Sequence, residues 1–89
     1  MAKLIRTDGS VVEIYPDNGN DFKLKELKEY VKGNIEIVNL LNGYLLVVDE
    51  NGKNKWEMNE LATKVARNVL RRDDYISGDA VYVLSNQIK

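Results

Sequence analysis

The chain has few residues able to do covalent chemistry. None of its 89 residues is cysteine or histidine. The thiol nucleophile, the zinc thiolate, the commonest general base near neutral pH and the commonest metal ligand are therefore all missing. A Ser-His-Asp triad, a Cys-His pair and a His-ligated metal are excluded by composition. Carboxylates remain, and paired carboxylates can work as general acid and base. Asp49-Glu50 and Asp73-Asp74 are such pairs, but both flank turns, where acidic residues are common for local reasons. The run Asp17-Asn18-Gly19-Asn20-Asp21 has calcium-loop composition without the alternating ligands or the distal bidentate glutamate, so it reads as a loop ending in a helix cap. The glycines stand singly at turns, and no phosphate-binding glycine motif is present. The expectation is a protein that is not an enzyme, with no catalytic residue, no metal and no cofactor.

Binding offers more candidates. Lys64, Arg67 and Arg71 recur at helical spacing and would form a basic ridge able to track phosphates or an acidic partner. Glu60 falls on the same side and dilutes the ridge, and a solvated helix face is the plainer reading. Trp56 stands between Lys55 and Glu57 in a polar stretch. Tryptophan is the residue type most enriched at binding hot spots. It also serves as a satellite core residue closing a sheet, and both readings stay open. Lys53, Lys55, Arg67 and Arg71, with Trp and Tyr faces nearby, would suit a small anionic ligand such as a nucleotide. Tyr44 opens a strand beside a hairpin turn and is a further surface candidate.

These residues need elements to position them. Residues 3–15 read as two strands around Asp8-Gly9, a favoured hairpin pair, with Pro16 ending the second strand. A helix follows, with Asp21 as N-cap, Leu24, Leu27, Tyr30 and Val31 on one side, and Gly33 as its stop. Residues 34–41 and 44–49 flank Asn42-Gly43 and predict a hairpin with a type I′ turn. The second of these strands is continuously apolar, as a central strand buried on both faces would be. Residues 53–58 are either a short return strand or a loop. Asn59 caps a second helix whose apolar face comprises Leu61, Ala62, Val65, Ala66, Val69 and Leu70, with Arg71 and Arg72 at its end. Residues 80–84 form a last strand, and residues 85–89 a frayed tail. The order β-β-α-β-β-α-β gives an α+β domain, expected as two layers: a mostly antiparallel sheet of about five strands with two helices packed on it.

Length and charge set the outer bounds. A chain of 89 residues is one domain, expected to span residues 1–89. Hydrophobic residues at 44% supply enough apolar surface to offset chain entropy, so the chain is expected to be ordered. A small fold without disulfides suits a reducing cytoplasm, and neither a signal peptide nor a membrane span is read from the apolar runs. Thirteen basic against 14 acidic residues argue against strong non-specific DNA binding, which needs a cationic surplus.

Four segments carry a resemblance: Val31-Lys32-Gly33-Asn34-Ile35-Glu36-Ile37-Val38; Leu45-Leu46-Val47-Val48-Asp49-Glu50-Asn51-Gly52-Lys53; Asn59 with Ala62; and Ile76-Ser77-Gly78-Asp79-Ala80-Val81-Tyr82-Val83. Together they resemble a family of small domains of unknown function encoded by phages, plasmids and integrated elements. Lys32 departs from it, since the family usually has a second glycine there. The resemblance carries over no catalytic residue. It implies a mobile-element setting, in which small proteins often inhibit or hijack host factors. The leading functional expectation is thus an accessory protein in the host cytoplasm that binds a host protein, such as a defence or regulatory factor. The alternatives are sequestration of a small anionic ligand, and nucleic-acid binding through the basic ridge. Homo-oligomerisation is a further expectation, because a small sheet leaves an edge strand to protect.

Overall fold

A computed structural model describes residues 2–88. Its centre is one five-stranded sheet in the order β2-β1-β5-β4-β3, with every pair antiparallel. The strands are β1 (Ala2–Ile5), β2 (Val11–Ile14), β3 (Ile35–Asn39), β4 (Tyr44–Asp49) and β5 (Ala80–Leu84). The helices are α1 (Leu24–Val31), a single turn α2 (Gly52–Lys55) and α3 (Glu60–Val65). The α+β class and the five antiparallel strands are those expected from the sequence.

The layering differs from the expected two. Side chains alternate along a strand, so each strand feeds both faces of the sheet. Leu4, Val47, Val81 and Val83 face one way and pack with Leu27 and Val31 of α1 and with Phe22. Ile5, Leu46, Val48 and Ala80 face the other way and pack with Ala62 of α3, Ala66 and Ile76. One helix covers each face, so the sheet is a middle layer. This is why the β4 run is apolar without alternation: Leu46 and Val47, on opposite faces, are both fully buried.

Local details also differ from the sequence reading. In the first hairpin only Gly9 has positive φ; Arg6 pairs with Ser10 across a three-residue loop. In the second, the positive-φ residues are Leu41 and Gly43, not Asn42 and Gly43, so the turn is not type I′. The N-cap of α1 is Lys23, not Asp21; its N–H donates to the Glu26 carboxylate at 2.8 Å. The left-handed residue ending α1 is Lys32 (φ 63°), not Gly33. Residues 53–58 form neither strand nor plain loop: the α2 turn is followed by extended Trp56, and Met58 bridges Ser77. Asn59 does cap α3, accepting from the Ala62 N–H at 3.0 Å. The helix then stops at Val65, so Arg71 and Arg72 lie beyond it, and Leu61 and Val65 are exposed. The tail is tied down. Residues 85–87 form a 3-10 turn, the Gln87 carbonyl accepts the Phe22 N–H at 2.6 Å, and Ile88 packs on the α1-side core. Lys89, the last residue of that expected tail, lies outside the described residues. No helix among the described residues is long and apolar enough to cross a membrane.

Candidate functional site

The site is organised by a residue read from the sequence as an ordinary turn carboxylate. Asp49 is the last residue of β4 and only 4% exposed. Its oxygens accept the Asn51 N–H at 2.9 Å and the Trp56 Nε1–H at 2.9 Å, and Lys55 Nζ lies 2.6 Å away. The α2 turn makes this arrangement. The Trp56 N–H donates to the Gly52 carbonyl at 2.7 Å, closing one helical turn that returns Lys55 and Trp56 to the end of β4. Burial pushes the Asp49 carboxyl up, but the donated bonds from Lys55, the Asn51 amide and Trp56 outweigh it and hold the group below its ordinary 3.8.

Two glycines give this clasp its room. A Cβ on Gly33 would stand 2.6 Å from Asp49 Oδ2, so the α1–β3 connection can cross the carboxylate only without a side chain. A Cβ on Gly78 would stand 2.6 Å from Trp56 Cδ1, and Gly78 also has a φ of +86°. The Cδ1 edge of the indole thus sits against the backbone just before β5. One part of it stays open: Trp56 is 36% exposed, with Lys32 Nζ 5.7 Å and Lys55 Nζ 5.5 Å from its ring centroid. Lys55 Nζ also donates to the Lys32 carbonyl at 3.3 Å.

A cleft lies on each side of the clasp. One, of about 230 Å³, is bounded by Lys32, Lys55 and Trp56 with Thr7 and Asp79. The other, of about 430 Å³, lies between the β3–β4 pair, α2 and the 74–77 segment.

Of the residues singled out from the sequence, the fold brings together Lys53, Lys55 and Trp56. Lys53 is ion-paired with Asp74 and lies 4.8 Å from the Tyr75 ring centroid. The pairing holds Lys53 above and Asp74 below their ordinary values, since the shared hydrogen bond favours both charged forms. Arg67 is committed to the backbone: its Nη2 donates to the carbonyls of Arg71 at 2.9 Å and Asp74 at 2.7 Å. Lys64 and the Arg71 side chain are exposed and have no ion-pair partner among the described residues. Tyr44 sits at the other end of β4, about 16 Å along the strand from Asp49 by the strand rise, stacked on Tyr82 at 4.4 Å. The basic ridge is therefore one clamping arginine and two separate cations. Sequence reasoning missed Asp49 as the anchor. Its signal was position: an acid closing a strand expected to be buried on both faces needs buried donors. Among the described residues no three acidic side chains converge to hold a metal.

This is a small α+β domain with a helix on each face of a five-stranded antiparallel sheet and a buried carboxylate clasp at one end of its fourth strand. The chain belongs to the family described as Domain of unknown function (DUF3846), whose model matches residues 3–87. No curated protein and no solved structure matches it.

Proposed function

We propose that the domain is a non-enzymatic binding module of a phage or other mobile element, acting in the host cytoplasm, and that it docks on a host protein through the face of Trp56. One observation carries this reading: the indole is surface-exposed yet fixed, by its bond to buried Asp49 and its seat on Gly78. A rigid surface aromatic loses little freedom on binding, and Trp is the residue type most enriched among hot spots. Lys32 beside the ring, with no ion-pair partner among the described residues, favours a partner with an acidic rim. Blockade of a host defence or regulatory protein is the consequence that a mobile-element setting suggests. The cations that would hold a small anion are largely engaged: Lys53 with Asp74, Lys55 with Asp49, Arg67 with two carbonyls. The geometry thus favours protein docking over anion sequestration or phosphate tracking.

The test is capture of a partner from host lysate, followed by titration of the purified pair. Lys32→Glu is expected to weaken binding at least tenfold, about 1.4 kcal/mol, with little change in Tm. Lys25→Glu, on exposed α1, serves as the charge control and should leave affinity unchanged. Affinity indifferent to both Lys32→Glu and Trp56→Phe would overturn the reading. The origin is checked separately by the gene's neighbours: a locus without integrase, replication or virion genes would remove that part.

A further inference from the structure

The larger cleft has a chemistry of its own, distinct from the Trp56 face. Its floor is apolar, formed by Val38 and Val48 of the sheet with Leu70 and Ile76. Its rim is acidic, with Glu36, Glu50 and Asp74 against one ammonium, Lys53. Glu36 and Glu50 are exposed, and their carboxylates have no hydrogen-bond or close ion-pair partner among the described residues, although Glu36 acts on Lys53 at longer range. Lys53 already shows what this rim accepts. Its ammonium bonds to the Asp74 carboxylate and lies 4.8 Å from the centroid of the Tyr75 ring. A carboxylate beside an aromatic face is a cation subsite, here filled by the chain's own lysine.

A second observation is independent of the acids. Ser77 lines the same cleft and is only 5% exposed. Its hydroxyl has no hydrogen-bond partner among the described residues, yet it is not sealed from the surface as the Ser10 hydroxyl is. A hydroxyl on a nearly buried residue that no protein group pairs, and that lines a cleft, is free to accept a ligand's donor. The carboxylates are too dispersed to hold a metal ion. What complements dispersed acids, an apolar floor and one inward hydroxyl is an extended organic cation.

We propose that this cleft binds a linear polyamine with a secondary ammonium in its stem. The alkyl stem lies over Val38, Val48, Leu70 and Ile76. One ammonium is held between Glu36 and Glu50, and Ser77 Oγ accepts an N–H from the stem. The far ammonium competes with Lys53 for Asp74 and the Tyr75 ring. The volume of about 430 Å³ falls within the range of small-molecule sites.

Isothermal titration with spermidine tests this on the full chain, with MgCl2 at matched ionic strength as the charge control. Spermidine is expected to bind at one site, and Mg2+ to compete weakly. Glu36→Gln with Glu50→Gln should weaken spermidine at least tenfold with circular dichroism and Tm unchanged. Ser77→Ala should weaken it severalfold, and Lys53→Met, which removes the internal competitor, should tighten it. Displacement by Mg2+ as effective as that by a second amine would reduce the cleft to a generic acidic patch and overturn the proposal. So would spermidine affinity unmoved by the double glutamine variant. Tighter binding of a lysine-containing peptide than of spermidine would equally overturn it, assigning the cleft to a protein's side chain. None of these outcomes depends on the Trp56 surface, so the two readings fail separately.

Discussion

At the scale of single residues, Asp49 shows what a sequence conceals. Its partners lie two, six and seven positions onward, and Gly33 lies 16 positions back. Neither helical nor strand periodicity joins those positions, so the acid read as one of a turn pair. The clasp makes a definite prediction. Asp49→Asn keeps one acceptor oxygen, enough for either Asn51 or Trp56, turns an NH2 toward the other donor and removes the charge facing Lys55. Because Lys55 keeps access to solvent, the loss should be about 1–3 kcal/mol, short of a fully stranded buried charge, as read by urea unfolding. The sign with pH follows from the lowered folded-state pKa. The Asp49 contribution is present above the ordinary carboxylate value and is lost as pH falls through the lower folded value. Wild type and Asp49→Asn should therefore converge in stability as pH drops below about 4, the ordinary Asp value. A constant difference down to the acid transition would contradict the clasp. Lys32 gives a prediction of opposite sign. It holds φ 63°, a conformation that disfavours residues with a Cβ. Lys32→Gly should stabilise by about 1 kcal/mol in the same assay.

At the scale of elements, the strands were legible and the helix placement was not. Continuous apolarity marked β4 as a strand covered on both faces, and it lies inside the sheet between β5 and β3. Two amphipathic helices say only that each has one face to bury. They do not say on which side of a sheet, because an apolar strand has two faces to offer. The second helix also read too long. Leu61 and Val65 matched the pattern but are exposed, while the 66–74 segment turns back under the Arg67 clamp. Asn59 was legible as a cap, but its other half was not. It is fully buried, and its Nδ2 donates to the carbonyls of Ile5 and Gly78, both at 2.9 Å. One amide thus joins α3 to the end of β1 and the start of β5. Asn59→Ala removes the cap and strands two carbonyls, so the loss should exceed that of a surface cap and reach about 3–5 kcal/mol. Asn59→Asp keeps the cap acceptor but turns a buried carboxylate oxygen on the two carbonyls, so its loss should be at least that of alanine. Wild-type stability for Asn59→Asp would mean that the buried amide bonds carry nothing.

At the scale of the whole molecule, connectivity decides how stability is shared. The two hairpins, β1–β2 and β3–β4, become one sheet only when β5 inserts between β1 and β4. The strand that completes the core is therefore the last of the described strands, and each half of the sheet depends on it. Non-local pairing of this kind favours cooperative unfolding and comparatively slow folding. It also gives the C-terminal residues a weight that their polar composition hides. The sequence Ser-Asn-Gln-Ile-Lys offers one apolar residue, and nothing local shows that Ile88 returns to Phe22 under α1. Deleting residues 85–89 removes that contact and the Gln87 bond to the Phe22 amide. The expected loss is about 2 kcal/mol, or a fall in Tm of about 8–16 °C for a domain of this size. The transition should stay single and cooperative, because β5 itself remains. An unchanged Tm would mean that the tail merely rests on the surface. A transition split in two would mean that the hairpins hold together without β5 coupling them.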